Sequence, residues 1–150
     1  GTLYDVEFLD GTCIALFNGC DAVSDFTFQS SALAAAASQA LLDQVFLDGV
    51  LGDFDSIPAL SNGCEGLDEC FFYTPYGLIA SSVSLLRIAV NSQSGSDRIL
   101  SGSGGTANDQ TNFALSTYAT WNQIPEPSAA YLVALGLTGL SRAKRGRNRS

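Results

Sequence analysis

Carboxylates and cysteines are the groups in this chain best equipped for chemistry, because the usual catalytic partners are missing. There is no histidine, and the single lysine is Lys144 near the C-terminus. Ser-His-Asp and Cys-His catalysis are therefore excluded within the chain. Schiff-base and Ser-Lys chemistry, and self-formed Lys–Asn crosslinks, lack a lysine anywhere before residue 144. Paired carboxylates remain, as glycoside hydrolysis would use. Asp53 with Asp55 and Asp68 with Glu69 are the nearest pairs, but no flanking pattern singles out either, so solvated surface carboxylates are expected. The segment Asp48-Gly-Val-Leu-Gly-Asp53-Phe-Asp55 gathers hard oxygen ligands beside glycines. Asp48, Asp53 and Asp55 are thus candidate calcium ligands, although their spacing is not that of an EF-hand. Ser-Gly-Ser-Gly-Gly at 101–105 has no following lysine and does not read as a phosphate loop. The expectation is a protein that is not an enzyme and has no cofactor, calcium being the one compatible ion.

Arg87 and Arg98 are the only cations before residue 125, against fourteen carboxylates, a formal charge of −12. Such a surface repels nucleic acid and anionic lipid, so no nucleic-acid partner is expected. Cys13, Cys20, Cys64 and Cys70 are even in number, and two disulfides are expected in an exported chain. The local pairs Cys13–Cys20 and Cys64–Cys70 are favoured, each closing a short polar loop that contains glycine. Structural zinc would need Cys-x-x-Cys spacing or histidine, and neither is present. The sequence has no methionine and opens at Gly1 without a basic-then-apolar leader, which fits a secretory signal peptide already removed.

These groups must be positioned by a body of residues 1–123. Tyr4, Val6 and Phe8 alternate with Asp5 and Glu7, as in a half-buried strand. Ile14 to Phe17 and Asp25 to Phe28 read as further short strands. Ser31 to Asp48 is Ala- and Leu-rich and predicts a helix, capped by Ser30 or Ser31 and stopped by Gly49. Its apolar face would be Leu33, Ala37, Leu41, Leu42, Val45 and Phe46. Residues 50–70 read as a loop pinned by the second cysteine pair. Leu78 to Val90 reads as strand, broken around Ser81-Ser82, and 91–110 as Ser/Gly-rich loop or flexible hairpin. Thr111 to Trp121 alternates again, with Phe113, Leu115, Thr117, Ala119 and Trp121 on one face. The class expected is α+β, mainly β: a sandwich-like or partly open antiparallel sheet with one early helix. Phe71, Phe72, Tyr73, Tyr76 and Trp121 would be the platform of a carbohydrate-binding module, were they exposed.

The character changes at residues 124–150. Pro125-Glu126-Pro127 is followed by an apolar run, Ser128 to Leu140, and then by Arg142, Lys144, Arg145, Arg147 and Arg149. Thirteen residues of helix span only about 20 Å, short of a comfortable bilayer crossing. A short apolar helix with a basic stop suits a transient anchor that leaves the body outside. This order of proline-flanked motif, short hydrophobic helix and basic end closely resembles the PEP-CTERM sorting signal. The resemblance covers about one-sixth of the chain. It implies recognition by an exosortase-type membrane enzyme, processing near Pro125-Glu126-Pro127, and transient membrane association through the tail. It also implies a Gram-negative cell surface or extracellular matrix as destination, with exopolysaccharide or other matrix components as partners. The function expected is that of a non-enzymatic surface or biofilm-matrix structural protein. The alternative is a subunit that self-assembles into an extracellular filament through its N-terminal strand.

Overall fold

The structure is a computed structural model that describes residues 2–66 and 68–125. The expected C-terminal helix, Glu126, Pro127 and the basic cluster Arg142, Lys144, Arg145, Arg147 and Arg149 lie outside the described residues. Contacts divide the chain into two units, residues 6–122 and a smaller one holding residues 2–5 and 123–125. In the smaller unit the Ile124 N–H donates to the Leu3 carbonyl at 3.0 Å.

The architecture is mainly β, with one ten-residue helix and a single-turn one among the described residues. Seven strands occur among the described residues: β1 (Tyr4–Leu9), β2 (Asp48–Gly49), β3 (Gly52–Asp53), β4 (Glu69–Ala80), β5 (Val83–Ser92), β6 (Arg98–Gly105) and β7 (Ser116–Gln123). Five of them form one sheet in the order β1-β7-β4-β5-β6, and β2 with β3 makes a small hairpin. The β4–β5 and β5–β6 pairs are antiparallel, while β7 lies parallel to β4. The sheet is therefore single and mixed, where a sandwich or an antiparallel sheet was expected. The β4–β5 connection falls at Ser81-Ser82, as the sequence predicts.

Helix α2 (Ser31–Ala40) continues as a π-helical turn over Leu41–Val45. The Ser30 hydroxyl accepts from the Leu33 N–H at 3.3 Å, satisfying one of the free donors of the first turn. The buried positions Ala34, Ala37, Ser38, Leu41 and Leu42 recur at i, i+3, i+4, i+7 and i+8, the spacing of a single helical face. Of the expected apolar face, Ala37, Leu41, Leu42 and Phe46 are buried, while Leu33 and Val45 are exposed. Small residues at 34, 37 and 38 let the helix lie close against β4 and β5. Under it, Leu41, Leu42, Phe46, Cys64, Cys70, Phe72, Ala89 and Ala119 form one core cluster. Phe8, Phe46 and Phe72 stack there with centroids 4.4–5.4 Å apart.

The opposite face of the sheet carries a second cluster of Cys13, Phe17, Cys20, Phe26, Leu86 and Tyr118. Two sequence expectations fail here. Ile14 to Phe17 is not a strand: Cys13–Leu16 is a one-turn helix, α1, whose start is capped by the Thr12 hydroxyl accepting from the Ala15 N–H at 3.1 Å. Asp25 to Phe28 is not a strand either; Asp25 ends a 3-10 turn over Val23–Asp25. The Cys13–Cys20 bridge closes this segment too tightly for an extended strand, and Asn18 and Cys20 take positive φ to complete the loop. Residues 98–105, expected as loop or flexible hairpin, form the edge strand β6, whose small residues pair antiparallel along β5 from Val90 to Val83.

Candidate functional site

Both local disulfides form as expected, Cys13–Cys20 with Cα atoms 5.7 Å apart and Cys64–Cys70 with 5.9 Å. Among the described residues no cysteine is free. Disulfides persist in oxidising surroundings, so the pair places this chain in an extracellular or periplasmic environment. No helix among the described residues is long and apolar enough to cross a membrane.

The acidic hairpin expected to gather calcium ligands does something else with its first carboxylate. Asp48 Oδ1 accepts from the backbone N–H groups of Asp55 and Ser56, each at 3.0 Å, and Oδ2 accepts from the Ser56 hydroxyl. The Ser56 hydroxyl and the two backbone donors hold the Asp48 carboxyl below its ordinary pKa. Asp48 thus braces the loop after β3. Asp48 and Asp53 stand opposite one another in the hairpin register. Among the described residues, no three Asp, Glu, Cys or His side chains converge in a way that could hold a metal ion.

Asp97, in the loop between β5 and β6, is a residue that the sequence did not single out. Burial pushes the Asp97 carboxyl up; the Ser92 N–H, donating at 2.9 Å, opposes this, and the charge of Asp55 adds to it. Beside them Arg98 pairs with Glu69 through two hydrogen bonds, at 2.9 and 3.2 Å. That hydrogen bonding lowers the Glu69 pKa. The body's other cation, Arg87, reaches across the sheet to the Ser31 and Ser101 hydroxyls, tying the start of α2 to β5 and β6.

The five aromatic candidates do not share an exposed face. Phe72 is fully buried under α2, and Tyr73 points to the opposite cluster, edge-on to Tyr118. Trp121 is partly buried against Phe28, with its indole N–H 3.4 Å from the Thr74 hydroxyl. Phe71 and Tyr76 are half-buried. Strand alternation in β4 forces this split. Phe113 and Leu115 precede β7 and are exposed, which is why they do not join the face expected of Thr111 to Trp121.

A polar cleft of about 610 Å³ lies where the loops at residues 10, 59–65 and 110–114 meet. Its walls are held by backbone bonds: Gln110 N–H to the Gly11 carbonyl at 2.9 Å, and Glu65 N–H to the Ala114 carbonyl at 2.7 Å. Asn62 Nδ2 donates to the Phe8 carbonyl at 2.6 Å. Gly63 has φ +74°, and a Cβ there would come within 2.3 Å of Asp10 Oδ1 and 2.6 Å of Thr117 Oγ1. Only glycine fits at that point. The buried hydroxyls of Ser61 and Thr117 have no hydrogen-bond partner among the described residues. The cleft therefore presents carboxylates (Asp10, Glu65), amides and hydroxyls, suited to a polyhydroxylated ligand. No segment before or after it marked these residues in the sequence, because the loops that meet there are far apart along the chain.

No protein-family profile, curated protein or solved structure matches this chain.

Proposed function

We propose that this chain is an exported, non-enzymatic structural protein of a bacterial cell surface or biofilm matrix, sorted by a PEP-CTERM-type signal. One observation carries the reading: Pro125-Glu126-Pro127, the apolar run Ser128 to Leu140 and the basic end follow one another in order at residues 125–149. The two disulfides agree with export. The body's charge of two cations against fourteen carboxylates agrees with a soluble, hydrated matrix component. An exosortase-type enzyme would read the tail, and the polar cleft would hold sugar hydroxyls of matrix polysaccharide. Deleting the exosortase of the producing cell should strand the protein in the membrane fraction. Unchanged surface display in that strain would contradict the reading. Binding to the producer's own polysaccharide should fall at least tenfold in Asp10→Asn and Glu65→Gln.

A second reading, a self-assembling filament subunit, draws on the sheet's edges. β1 and β6 are the outer strands. Outer strands present unpaired backbone groups to a neighbour. Asn62 already caps the Phe8 carbonyl of β1, which blunts that edge. Electron microscopy of the purified protein separates the two: regular fibres support assembly, and dispersed particles at every concentration oppose it.

A further inference from the structure

We infer that the polar cleft takes a cationic glycan, a chain of hexosamine units with free amines. This rests on the reading of the cleft as a glycan site and adds the charge of the sugar. Backbone bonds build the cleft before any ligand arrives. The Gln110 N–H donates to the Gly11 carbonyl at 2.9 Å, fixing the chain beside Asp10. The Glu65 and Gly66 N–H groups both donate to the Ala114 carbonyl, at 2.7 and 3.1 Å, fixing Glu65 beside the loop of Phe113. Asp10, Glu65 and Phe113 all line the cleft and are exposed. Ser61 lines it too, yet it is only 6% exposed and its hydroxyl has no hydrogen-bond partner among the described residues. A Cβ at Gly63 would overlap both Asp10 Oδ1 and Thr117 Oγ1, so a carboxylate and a second unpartnered hydroxyl converge at the bare glycine. A buried hydroxyl left unpaired is costly, and a polar ligand group within its reach offsets that cost.

The charge of the walls selects the sugar. None of the described residues lining the cleft is a cation. The body's two arginines are engaged elsewhere, Arg98 by Glu69 and Arg87 by the Ser31 and Ser101 hydroxyls. Asp10 and Glu65 therefore give the cleft an uncompensated negative potential, which the body's other carboxylates extend outward. Uronate and sulfated polymers meet repulsion there, and an N-acetylated hexosamine gains nothing from the charge. A free-amine sugar gains a charge-assisted hydrogen bond to each carboxylate it reaches. Phe113 offers an aromatic face to the apolar side of a sugar ring and to its ammonium. A volume of about 610 Å³ falls within the roughly 300–1,000 Å³ of ligand sites. A bare metal ion fits less well, because among the described residues no three metal-binding side chains converge.

The test is calorimetric titration of the disulfide-intact chain at about pH 6, where an amine is protonated and carboxylates are ionised. The probes are a glucosamine trisaccharide, its N-acetylated form, a galacturonate trisaccharide and trilysine. The glucosamine trisaccharide should bind once, and added salt should weaken it. The acetylated form and trilysine should bind at least tenfold more weakly, and galacturonate not at all. Asp10→Asn and Glu65→Gln change exposed side chains and should fold; each should weaken the glucosamine probe at least tenfold, with a smaller effect on the acetylated one. Phe113→Ala should weaken both. Asp43→Asn, at an exposed carboxylate outside the cleft, should change neither. Equal affinity for the two hexosamine probes, lost in Phe113→Ala, would overturn the amine preference while the cleft stands as a glycan site. No heat with any sugar would overturn both. Trilysine binding as tightly, or Asp43→Asn costing as much as Asp10→Asn, would show diffuse attraction to an acidic body and overturn the proposal.

Discussion

The two faces of the sheet are covered by different means. On one, the ten-residue helix α2 and its π-helical extension lay a regular apolar stripe over Phe72, Ala89 and Ala119, and the Cys64–Cys70 bridge is one component of an aromatic core. On the other, a one-turn helix and a 3-10 turn cover Tyr118 and Leu86, and the Cys13–Cys20 bridge itself closes the cover. A single helical turn is too short to persist alone, since nucleation is unfavourable. The first face is held by packing, the second by a covalent link together with local polar contacts. Asp25 belongs to the second group: its carboxylate accepts from the Asp21 and Ala22 N–H groups at 3.1 and 3.0 Å.

The sharpest way to break this contrast is in the helix-covered core. Phe72→Ala removes a fully buried ring that stacks on both Phe8 and Phe46, and should cost about 3–5 kcal/mol by denaturant unfolding. Replacing Cys13 and Cys20 together by serine should cost about 2 kcal/mol, as expected for a short loop. That loss should be local: hydrogen exchange should accelerate at residues 12–28 while β4 and β5 stay protected. Uniform acceleration would mean that the two covers are not independent. The caps come next. Thr12→Ala and Ser30→Ala each remove one hydroxyl acceptor, worth about 1 kcal/mol. On the oxidised protein both should be measurable; with Cys13 and Cys20 replaced, the Thr12 effect should shrink, because α1 is then already frayed.

Acid titration gives the smallest and most diagnostic effect. The pKa values of Asp25, Asp48, Glu69 and Asp109 are lowered in the folded chain by hydrogen bonds to Ala22, Ser56, Arg98 and Thr111, respectively. Their contribution is present above the ordinary carboxylate range and is lost as pH falls through their folded values. Asp97 is shifted the other way by burial, so the folded state binds its proton more tightly and stability rises as pH falls through its folded pKa. Stability should therefore rise slightly from neutral pH before falling in stronger acid. Asp97→Asn should remove the rise and leave the acid fall.

Local patterning was readable in the sequence, and contacts between distant segments were not. The alternation of Tyr4, Val6 and Phe8, the Ala-rich helix after Ser30, the break at Ser81-Ser82 and both local disulfides follow from neighbouring residues alone. Cys13–Leu16 misled because its apolar residues are too few to show a period, and the bridge rather than propensity decides its shape. β6 was hidden because Ser and Gly normally mark loops; pairing with β5 overrides that composition. The parallel placement of β7 beside β4 has no local signature. The same is true of the cleft, whose loops are joined by Asn62 and by backbone bonds between segments far apart in the chain.

The most direct test of the central claim is the intact, non-reduced mass of protein recovered from outside the producing cells. The account predicts a chain ending near Pro125-Glu126-Pro127, with both disulfides formed, carrying any group transferred at the processing site. A mass that retains the apolar run and the basic end through Ser150 would contradict sorting by a PEP-CTERM-type signal.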